Sequence, residues 1–183
     1  MTTTAPLLRA EGLTLRPWRL SDAPALTAVC RTSDLSAVSI DVTTEADATR
    51  WLTSQHEAWT AGTRLAFAIL TEPGTATDSG NGDLAGHAVL TRPDPASPVA
   101  GVGYWTAGSH RGRGVASRAV TALARWAFET YPPTALTHLD LYHRLGNTAS
   151  CRVADRAGFT FEGEVPPGPS YPRPGHLHQL RRS

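Results

Sequence analysis

The stretch that decides how this chain is interpreted is residues 101–117, Gly-Val-Gly-Tyr-Trp-Thr-Ala-Gly-Ser-His-Arg-Gly-Arg-Gly-Val-Ala-Ser. Its first residues are typical of a buried strand, and a helical pattern of apolar residues runs over 112–131. Between them lies the basic, glycine-spaced segment 111–116. Glycines let backbone N–H groups approach a ligand closely, and the first N–H groups of a helix carry the positive end of its dipole. This order therefore predicts a site for a phosphate or pyrophosphate.

The segment 111–116 matches neither of two common nucleotide-binding motifs. It has no Gly-Lys-Ser/Thr ending, which a Walker loop requires, and no acidic residue follows a strand about twenty positions later, as in a dinucleotide fold. Glycine and arginine together are also typical of a solvated turn. The position between a strand and a helix, with a matching element downstream, favours the anion site.

That downstream element is a strand–helix–strand unit. Alternating apolar residues predict a strand at 136–142, helical spacing predicts a helix at 148–157, and a further strand is predicted at 159–162. Asn147 stands at the N-cap of the helix, and Gly158 stands where a left-handed C-cap belongs.

These motifs resemble those of the GNAT-type acyl-coenzyme A N-acyltransferases. The family's phosphate-binding pattern, Arg/Gln-x-x-Gly-x-Gly/Ala, is met by Arg111, Gly114 and Ala116. The segment 147–159, Asn-x-x-Ser-x-Arg-Val-Ala-x-x-Ala-Gly-Phe, and the opening Leu-Thr-Leu-Arg-Pro-Trp at 13–18 are similar to the subgroup of ribosomal-protein N-terminal (Rim-type) acetyltransferases. The resemblance covers roughly residues 12–165.

The resemblance implies a three-layer α/β fold with helices on both faces of a mixed, mostly antiparallel sheet of about six to seven strands. We expect one domain over residues 1–183, with a core at about 12–165, a Pro/Gly-rich segment at 166–175 and a short last strand. The predicted strands are 12–18, 64–71, 84–92, 99–106, 136–142, 159–162 and 176–181. The predicted helices are about 21–31, 44–61, 112–131 and 148–157.

Acetyl-coenzyme A or coenzyme A is the co-substrate that the resemblance implies. Its pyrophosphate is expected on the segment 111–116, and its pantetheine arm on the backbone of 104–107 and the side chain of Asn147. The predicted cofactor-binding residues are Trp105, Thr106, Ala107, His110, Arg111, Gly112, Arg113, Gly114, Val115, Ala116, Ser117, Asn147, Ser150 and Arg152.

The resemblance also implies direct attack of an amine on the thioester, with Ser150 as proton donor to the departing thiolate. A structural interpretation of Ser150, as a small residue that lets its helix pack closely, stays open. Many members of the family have a tyrosine acid three residues before the Gly158-Phe159 position, where this chain has Asp155. The carboxylate of the ribosomal-protein subgroup falls in the proline run 166–169. No general base is therefore identified from the sequence.

Two functions from different classes remain open. One is an N-acetyltransferase acting on a primary amine, either a protein N-terminus or a small molecule. The other is a protein that binds or senses acyl-coenzyme A and has lost catalysis. For either function, we expect Trp51 and Trp59 to line the acceptor side of the cleft.

Composition excludes several other classes. The 17 basic residues, all arginine, nearly balance 16 acidic ones, and a net charge of +1 disfavours nucleic acid as a partner. No apolar run approaches about 18 residues, so no membrane partner is expected. Cys30 and Cys151 are too few for a disulfide framework, which indicates a reducing, cytoplasmic location. A homodimer is compatible with the family.

The sequence supports few functional predictions for the histidines. His87, inside a strand, is expected to be a satisfied structural residue, and His110 abuts the phosphate loop. His176 and His178 alternate along the last strand, but no third ligand is evident for a metal, and none is predicted.

Overall fold

The computed structural model describes residues 6–33, 35, 40–72, 82–94, 96–168 and 171–182, and its main feature is an eight-stranded sheet. The strands are β1 (Leu8–Ala10), β2 (Leu13–Pro17), β3 (Arg64–Thr71), β4 (Leu84–Thr91), β5 (Val99–Thr106), β6 (His138–Arg144), β7 (Thr160–Val165) and β8 (Gly175–Arg181). The helices are α1 (Ala23–Thr32), α2 (Glu45–Thr60), α3 (Val115–Thr130) and α4 (Thr148–Arg156).

The order of strands in the sheet is β1-β2-β3-β4-β5-β6-β8-β7, and only β5 and β6 are parallel neighbours. Their pairing covers three residues, from Val99 opposite His138 to Gly101 opposite Asp140. Beyond Gly101, β5 continues against β4 alone, while β6 continues against β8. A wedge-shaped gap therefore opens between β5 and β6 in this part of the chain.

Both faces of the sheet are buried, as strand β3 illustrates. Leu65, Phe67 and Ile69 belong to the core beneath α3 and α4. The alternate residues Ala66 and Ala68 belong to the core beneath α1 and α2. Side chains of a strand point to opposite faces in turn, so a continuously apolar strand such as β3 can be covered on both sides. The predicted three-layer α/β class is confirmed.

Local signals place the beginnings of the first two helices. Thr44 Oγ1 accepts a hydrogen bond from the Asp47 N–H at 3.1 Å, and the Asp47 carboxylate accepts one from the Thr44 N–H at 2.8 Å. The three-residue spacing of Thr44 and Asp47 in the sequence predicts a capping box, and the structure forms it at the start of α2. Before α1, the Arg16 guanidinium donates to both carboxylate oxygens of Asp22, at 2.8 and 2.7 Å.

The sheet has one strand more than the six to seven predicted. The additional strand, β1, has three residues and pairs with β2 through a turn at Gly12, whose φ is +67°. The predicted strand 12–18 therefore begins one residue too early, because Gly12 lies in the turn between β1 and β2. Helix α3 begins at Val115 instead of residue 112, because Gly112 and Gly114 have φ angles of +75° and +71° that a helix cannot include.

The last strand begins one residue before its predicted start at 176. Strand β8 has seven residues and lies between β6 and β7, paired with β6 along its whole length and with β7 from Gly175 to Gln179. The Gly-, Ser- and Thr-rich composition of residues 73–83 predicts a hairpin loop, and most of this segment lies outside the described residues. No helix in the described ranges combines the length and the apolar character needed to cross a membrane.

Candidate active site

A cleft of about 1370 Å³ contains the gap between β5 and β6. Its lining comes from both faces of the sheet. Tyr104 packs against the core under α3 and α4, whereas Trp105 packs against the core under α1 and α2. Residues on both faces of the sheet can therefore contact a ligand in the cleft.

One end of the cleft leads to the predicted anion-binding loop. Helix α3 has Gly114 as its N-cap, which offers no side chain, so the first N–H groups of the helix stay available to a ligand. The Ser117 hydroxyl donates to the Gly114 carbonyl at 3.0 Å and tightens the first turn. Buried Val115 anchors the helix in the core, and half-buried Ala116 follows it.

Three arginines surround this loop. Arg111 lines the cleft and donates from Nε to the Thr106 carbonyl at 3.3 Å, and Arg113 is exposed. Arg118, which the sequence analysis missed, donates to the Arg113 carbonyl at 3.0 Å, and its buried Nε has no hydrogen-bond acceptor among the described residues. Three guanidinium groups beside open helical N–H groups form a strongly anion-attracting surface.

The predicted pantetheine strand is only partly available to a ligand. Trp105 and Thr106 lie on β5 where it no longer pairs with β6. Both backbone groups of Ala107 are used within the protein, since its N–H donates to the Ala85 carbonyl and its carbonyl accepts from the His110 N–H, each at 2.9 Å. The available strand edge therefore ends at Thr106.

His110 is buried beside the loop. It lies in a short 3-10 turn, Gly108–His110, and its Nδ1 is 2.9 Å from the Ser109 hydroxyl. Burial lowers the pKa of His110, and the Arg113 charge lowers it further. Its side chain supports the loop from beneath.

Ser150 forms a hydroxyl pair with a tyrosine that the sequence analysis did not select. The Tyr104 hydroxyl donates to Ser150 Oγ at 2.8 Å, and Ser150 is buried on the first turn of α4. Asn147 Oδ1 accepts the Ser150 N–H at 3.2 Å, which confirms the predicted N-cap. The family's tyrosine is missing near 155, but β5 supplies a hydroxyl at this point.

Arg152 lies away from this hydroxyl pair. Its side chain is exposed on α4 and reaches the Thr148 hydroxyl at 3.5 Å. Among the residues that line the cleft, Arg152 does not appear. Its predicted contact with the cofactor is unsupported by this placement.

His87 is a structural residue, as expected, although it lines the cleft. It is buried, and its Nδ1 accepts a hydrogen bond from Trp18 Nε1 at 3.0 Å, so Nε2 carries the proton of the neutral ring. Its ring stacks on Trp105 with centroids 5.8 Å apart. Burial, with a smaller contribution from the Arg64 charge, lowers the pKa of His87 to about 3. His87 is therefore neutral near pH 7.

Asp140 is an acidic group in the cleft that the sequence analysis missed. It lies opposite Gly101, where β5 and β6 begin to separate, and Gln179 donates to its Oδ1 at 2.9 Å. Burial raises the pKa of the Asp140 carboxyl, and the Gln179 hydrogen bond opposes part of that rise. A half-buried carboxylate at the narrow end of the gap can accept a proton.

Only one of the two tryptophans predicted for the acceptor side lines the cleft. Trp51 lines the cleft and packs edge-on against Trp18 at 5.3 Å. Trp59 instead packs on Phe67 at 5.1 Å, in the core beneath α3 and α4. The prediction for Trp59 is wrong because it lies two turns further along α2 than Trp51, beyond the cleft.

The expectation that His176 and His178 have no third companion is also wrong. His143 from β6 and Cys151 from α4 bring their donor atoms within 4.8 Å of those of both histidines. The spacing of these residues in the sequence does not predict a cluster. The pairing of β6 with β8 brings the three histidines together.

Comparison with known proteins agrees with this geometry. The family model of the acetyltransferase (GNAT) domain matches residues 12–160. The chain belongs to the GNAT acetyltransferase family. The resemblance found in the sequence is thereby confirmed, and the matched residues include the loop at 111–116. No curated protein matches the chain in sequence.

Several solved structures share the fold of this GNAT chain. A putative ribosomal-protein-serine acetyltransferase from Vibrio cholerae is 20% identical, with a TM-score of 0.80 over 97% of this chain and 98% of its own. Mycobacterium smegmatis RimJ, in complex with CoA-disulfide, is 22% identical, with a TM-score of 0.76 over 98% and 87%. The Microcin C7 self-immunity acetyltransferase MccE, in complex with acetyl-CoA and AMP, is 17% identical, with a TM-score of 0.78 over 94% and 93%.

Proposed function

We propose that this GNAT protein is an N-acetyltransferase that transfers an acetyl group from acetyl-coenzyme A to a primary amine. The observation that carries the proposal is the gap between β5 and β6, which runs from the arginine-rich loop to the Tyr104–Ser150 pair. The free edge of β5 from Thr106 back to Val102 spans about 13 Å at roughly 3.3 Å per residue. An extended pantetheine arm can pair its amides with this edge as an added strand does.

The two ends of the gap have complementary roles in this proposal. The first N–H groups of α3, with Arg111 and Arg113, hold the pyrophosphate, since charge-assisted hydrogen bonds are about twice as strong as neutral ones. The thioester then lies towards the narrow end, near Ser150. A backbone N–H near Trp105 holds the developing oxyanion, a contribution of about 3–4 kcal/mol per donor in measured enzymes.

The reaction needs two proton transfers, and the cleft has a group for each. The amine nitrogen attacks the thioester carbonyl, and Asp140, directly or through one water molecule, takes the proton that the nitrogen loses. The C–S bond breaks, and the sulfur leaves with the bonding electron pair. Ser150 gives its proton to the sulfur and receives one from Tyr104, whose hydroxyl already donates to Ser150 Oγ. Asp140 then releases its proton to solvent and Tyr104 takes one up from solvent, which closes the cycle.

The charges of the cleft favour a peptide amine over a polyamine. Arg64, Arg111 and Arg144 line it, against the carboxylates of Asp94 and Asp140. A polycation is repelled by such a surface. A peptide α-amine, with a pKa of about 8 against about 10.4 for a lysine side chain, is already about a tenth neutral at pH 7.

A protein N-terminus is therefore the first acceptor to test. Two proteins that share this fold are a putative ribosomal-protein-serine acetyltransferase and RimL, a ribosomal L7/L12 α-N-protein acetyltransferase. We also place the protein in a reducing, cytoplasmic compartment, because Cys30 and Cys151 are both free.

The deciding experiment measures coenzyme A thiol release from acetyl-coenzyme A across peptides with different N-terminal residues, with spermidine and an aminoglycoside as cationic comparators. Acetylation of at least one peptide, identified by mass, is the expected result. Binding of acetyl-coenzyme A without release above hydrolysis for any amine would instead support the acyl-coenzyme A sensor. Faster acetylation of spermidine than of every peptide would contradict a protein N-terminus as the acceptor, while acetyl transfer to an amine would still be the reaction.

A further inference from the structure

A cluster of three imidazoles and one thiol lies beneath α4, on the face of the sheet opposite α1 and α2. Its members are His143, Cys151, His176 and His178, and their donor atoms all lie within 4.8 Å of one another. His143 Nε2 is 3.2 Å from His178 Nε2 and 3.3 Å from Cys151 Sγ. Cys151 Sγ is 3.4 Å from His176 Nδ1.

Three of the six separations in the cluster match those of a tetrahedral zinc site. Zinc binds imidazole nitrogen at about 2.0–2.1 Å and thiolate sulfur at about 2.3 Å. In a tetrahedron, such ligands lie about 3.3 Å apart for two nitrogens and about 3.5 Å apart for nitrogen and sulfur. The three measured distances of the cluster fall within about 0.3 Å of these values.

Hydrogen bonds outside the cluster orient two of the imidazoles. His143 Nδ1 lies 3.0 Å from the Arg144 carbonyl, which only accepts, so Nδ1 carries the proton and Nε2 presents its lone pair to the cluster. His176 Nε2 faces the Glu164 carboxylate at 3.7 Å, which leaves Nδ1 towards Cys151. Metal-binding histidines are commonly held in this way by a carbonyl or carboxylate on the outer nitrogen.

The third imidazole lacks such a partner. His178 is buried, and its Nδ1 has no hydrogen-bond partner among the described residues. Its Nε2 faces the lone pair of His143 Nε2. With the His178 proton on Nδ1, the two Nε2 lone pairs face each other, and a cation at the centre binds both of them.

The scaffold around the cluster is rigid and partly apolar. His143 lies directly opposite His176 in the β6–β8 pairing, and Leu141 opposite His178, so all three histidines share one face of the sheet. The Phe161 ring on β7 lies 5.1 Å from the His176 ring and covers the outer side.

We propose that His143, Cys151, His176 and His178 bind one Zn²⁺ ion in a tetrahedral structural site. On binding, the Cys151 thiol loses its proton to the buffer and its sulfur bonds to the metal as thiolate. Because four protein ligands fill the coordination shell, the ion has no open position for a substrate, and its role is structural. It ties α4, and with it the adjacent Ser150, to strands β6 and β8. The proposal is independent of the proposed acetyl transfer.

The test uses the purified full chain, freed of metal by a chelator and titrated with Zn²⁺ or Co²⁺. We expect one equivalent of Zn²⁺ to bind with release of a proton and a rise in Tm. Co²⁺ should produce the intense visible bands of a tetrahedral ion and a near-ultraviolet thiolate charge-transfer band. Cys151→Ser should lose the charge-transfer band and bind Zn²⁺ at least tenfold more weakly, while Cys30→Ser should match the unsubstituted chain.

Two results would overturn the proposal. One is a folded, unsubstituted chain, verified by circular dichroism, that binds no stoichiometric Zn²⁺. The other is a charge-transfer band that survives in Cys151→Ser or disappears in Cys30→Ser. If Cys151→Ser does not fold, His176→Gln takes its place in the test. It removes a partly exposed ligand and should also weaken Zn²⁺ binding.

Discussion

The Tyr104 hydroxyl donates a hydrogen bond to Ser150 Oγ at 2.8 Å across the gap between β5 and α4. Burial raises the pKa of Tyr104, so the phenol stays protonated and remains a donor at neutral pH. Because Oγ accepts this bond, the Ser150 hydrogen is left for a group in the cleft. The pair has the polarity that a proton donor to a departing thiolate requires.

Loss of either hydroxyl should slow turnover. We expect Ser150→Ala to lower kcat by about 10²-fold, within the usual range for general acid catalysis, with little change in acetyl-coenzyme A affinity. Tyr104→Phe should lower kcat less, and the double variant should be no slower than Ser150→Ala, because the two groups act as a unit. Steady-state kinetics and calorimetry measure both quantities. A Ser150→Ala rate within twofold of the original would remove the proposed proton donor.

Asp140→Asn should change the acidic limb of the kcat/KM profile. Two groups contribute to this limb, because the Asp140 carboxyl, whose pKa is raised, and the acceptor amine must both be unprotonated. We expect Asp140→Asn to be slower at every pH and to lose the contribution of the carboxyl. Asp94→Asn, which alters the other carboxylate lining the cleft, is the matched control and should retain it. An unchanged profile in Asp140→Asn would exclude the base.

The loop arginines should determine coenzyme A affinity. Arg111→Ala and Arg113→Ala should each weaken binding by about 1–3 kcal/mol, through loss of charge-assisted contacts to phosphate. Arg50→Ala is the control, because Arg50 is exposed on α2 and pairs with Asp47, on the face of the sheet opposite α3. Calorimetry measures the affinity for coenzyme A and for pantetheine, which carries no phosphate. The difference separates the contribution of the loop to binding from that of the β5–β6 gap. Equal affinity of all three variants for coenzyme A would refute the pyrophosphate site.

The buried His87 should make stability fall in acid. In the folded protein its pKa is about 3, against 6.5 for an unperturbed imidazole, so between these values the unfolded chain binds the additional proton. The free energy of unfolding therefore decreases as pH drops through this window, by up to about 1.4 kcal/mol per pH unit. His87→Gln, which keeps an acceptor for Trp18, should lose this part of the slope. Urea titrations at several pH values measure it, and an identical slope in the variant would disprove the assignment.

Prediction from sequence succeeded where the information is local. The Thr44–Asp47 capping box, the Asn147 N-cap and the strands at 64–71 and 99–106 follow from the spacing of neighbouring residues, and the structure has them as predicted. The three-residue strand β1 was missed because so short a segment carries no periodicity of its own. Its place in the sheet depends on pairing with β2.

The amino-acid sequence alone determined the order of elements and the glycine–arginine loop, since backbone conformation and helix capping depend on residues a few positions apart. Only the tertiary structure joined Tyr104 to Ser150, 46 residues away, and His143 to His178, 35 residues away. Such partners depend on strand order and register, which the packing of the whole sheet decides. The chemistry of the cleft, including Asp140 at its narrow end, therefore arises from the fold and not from any single motif.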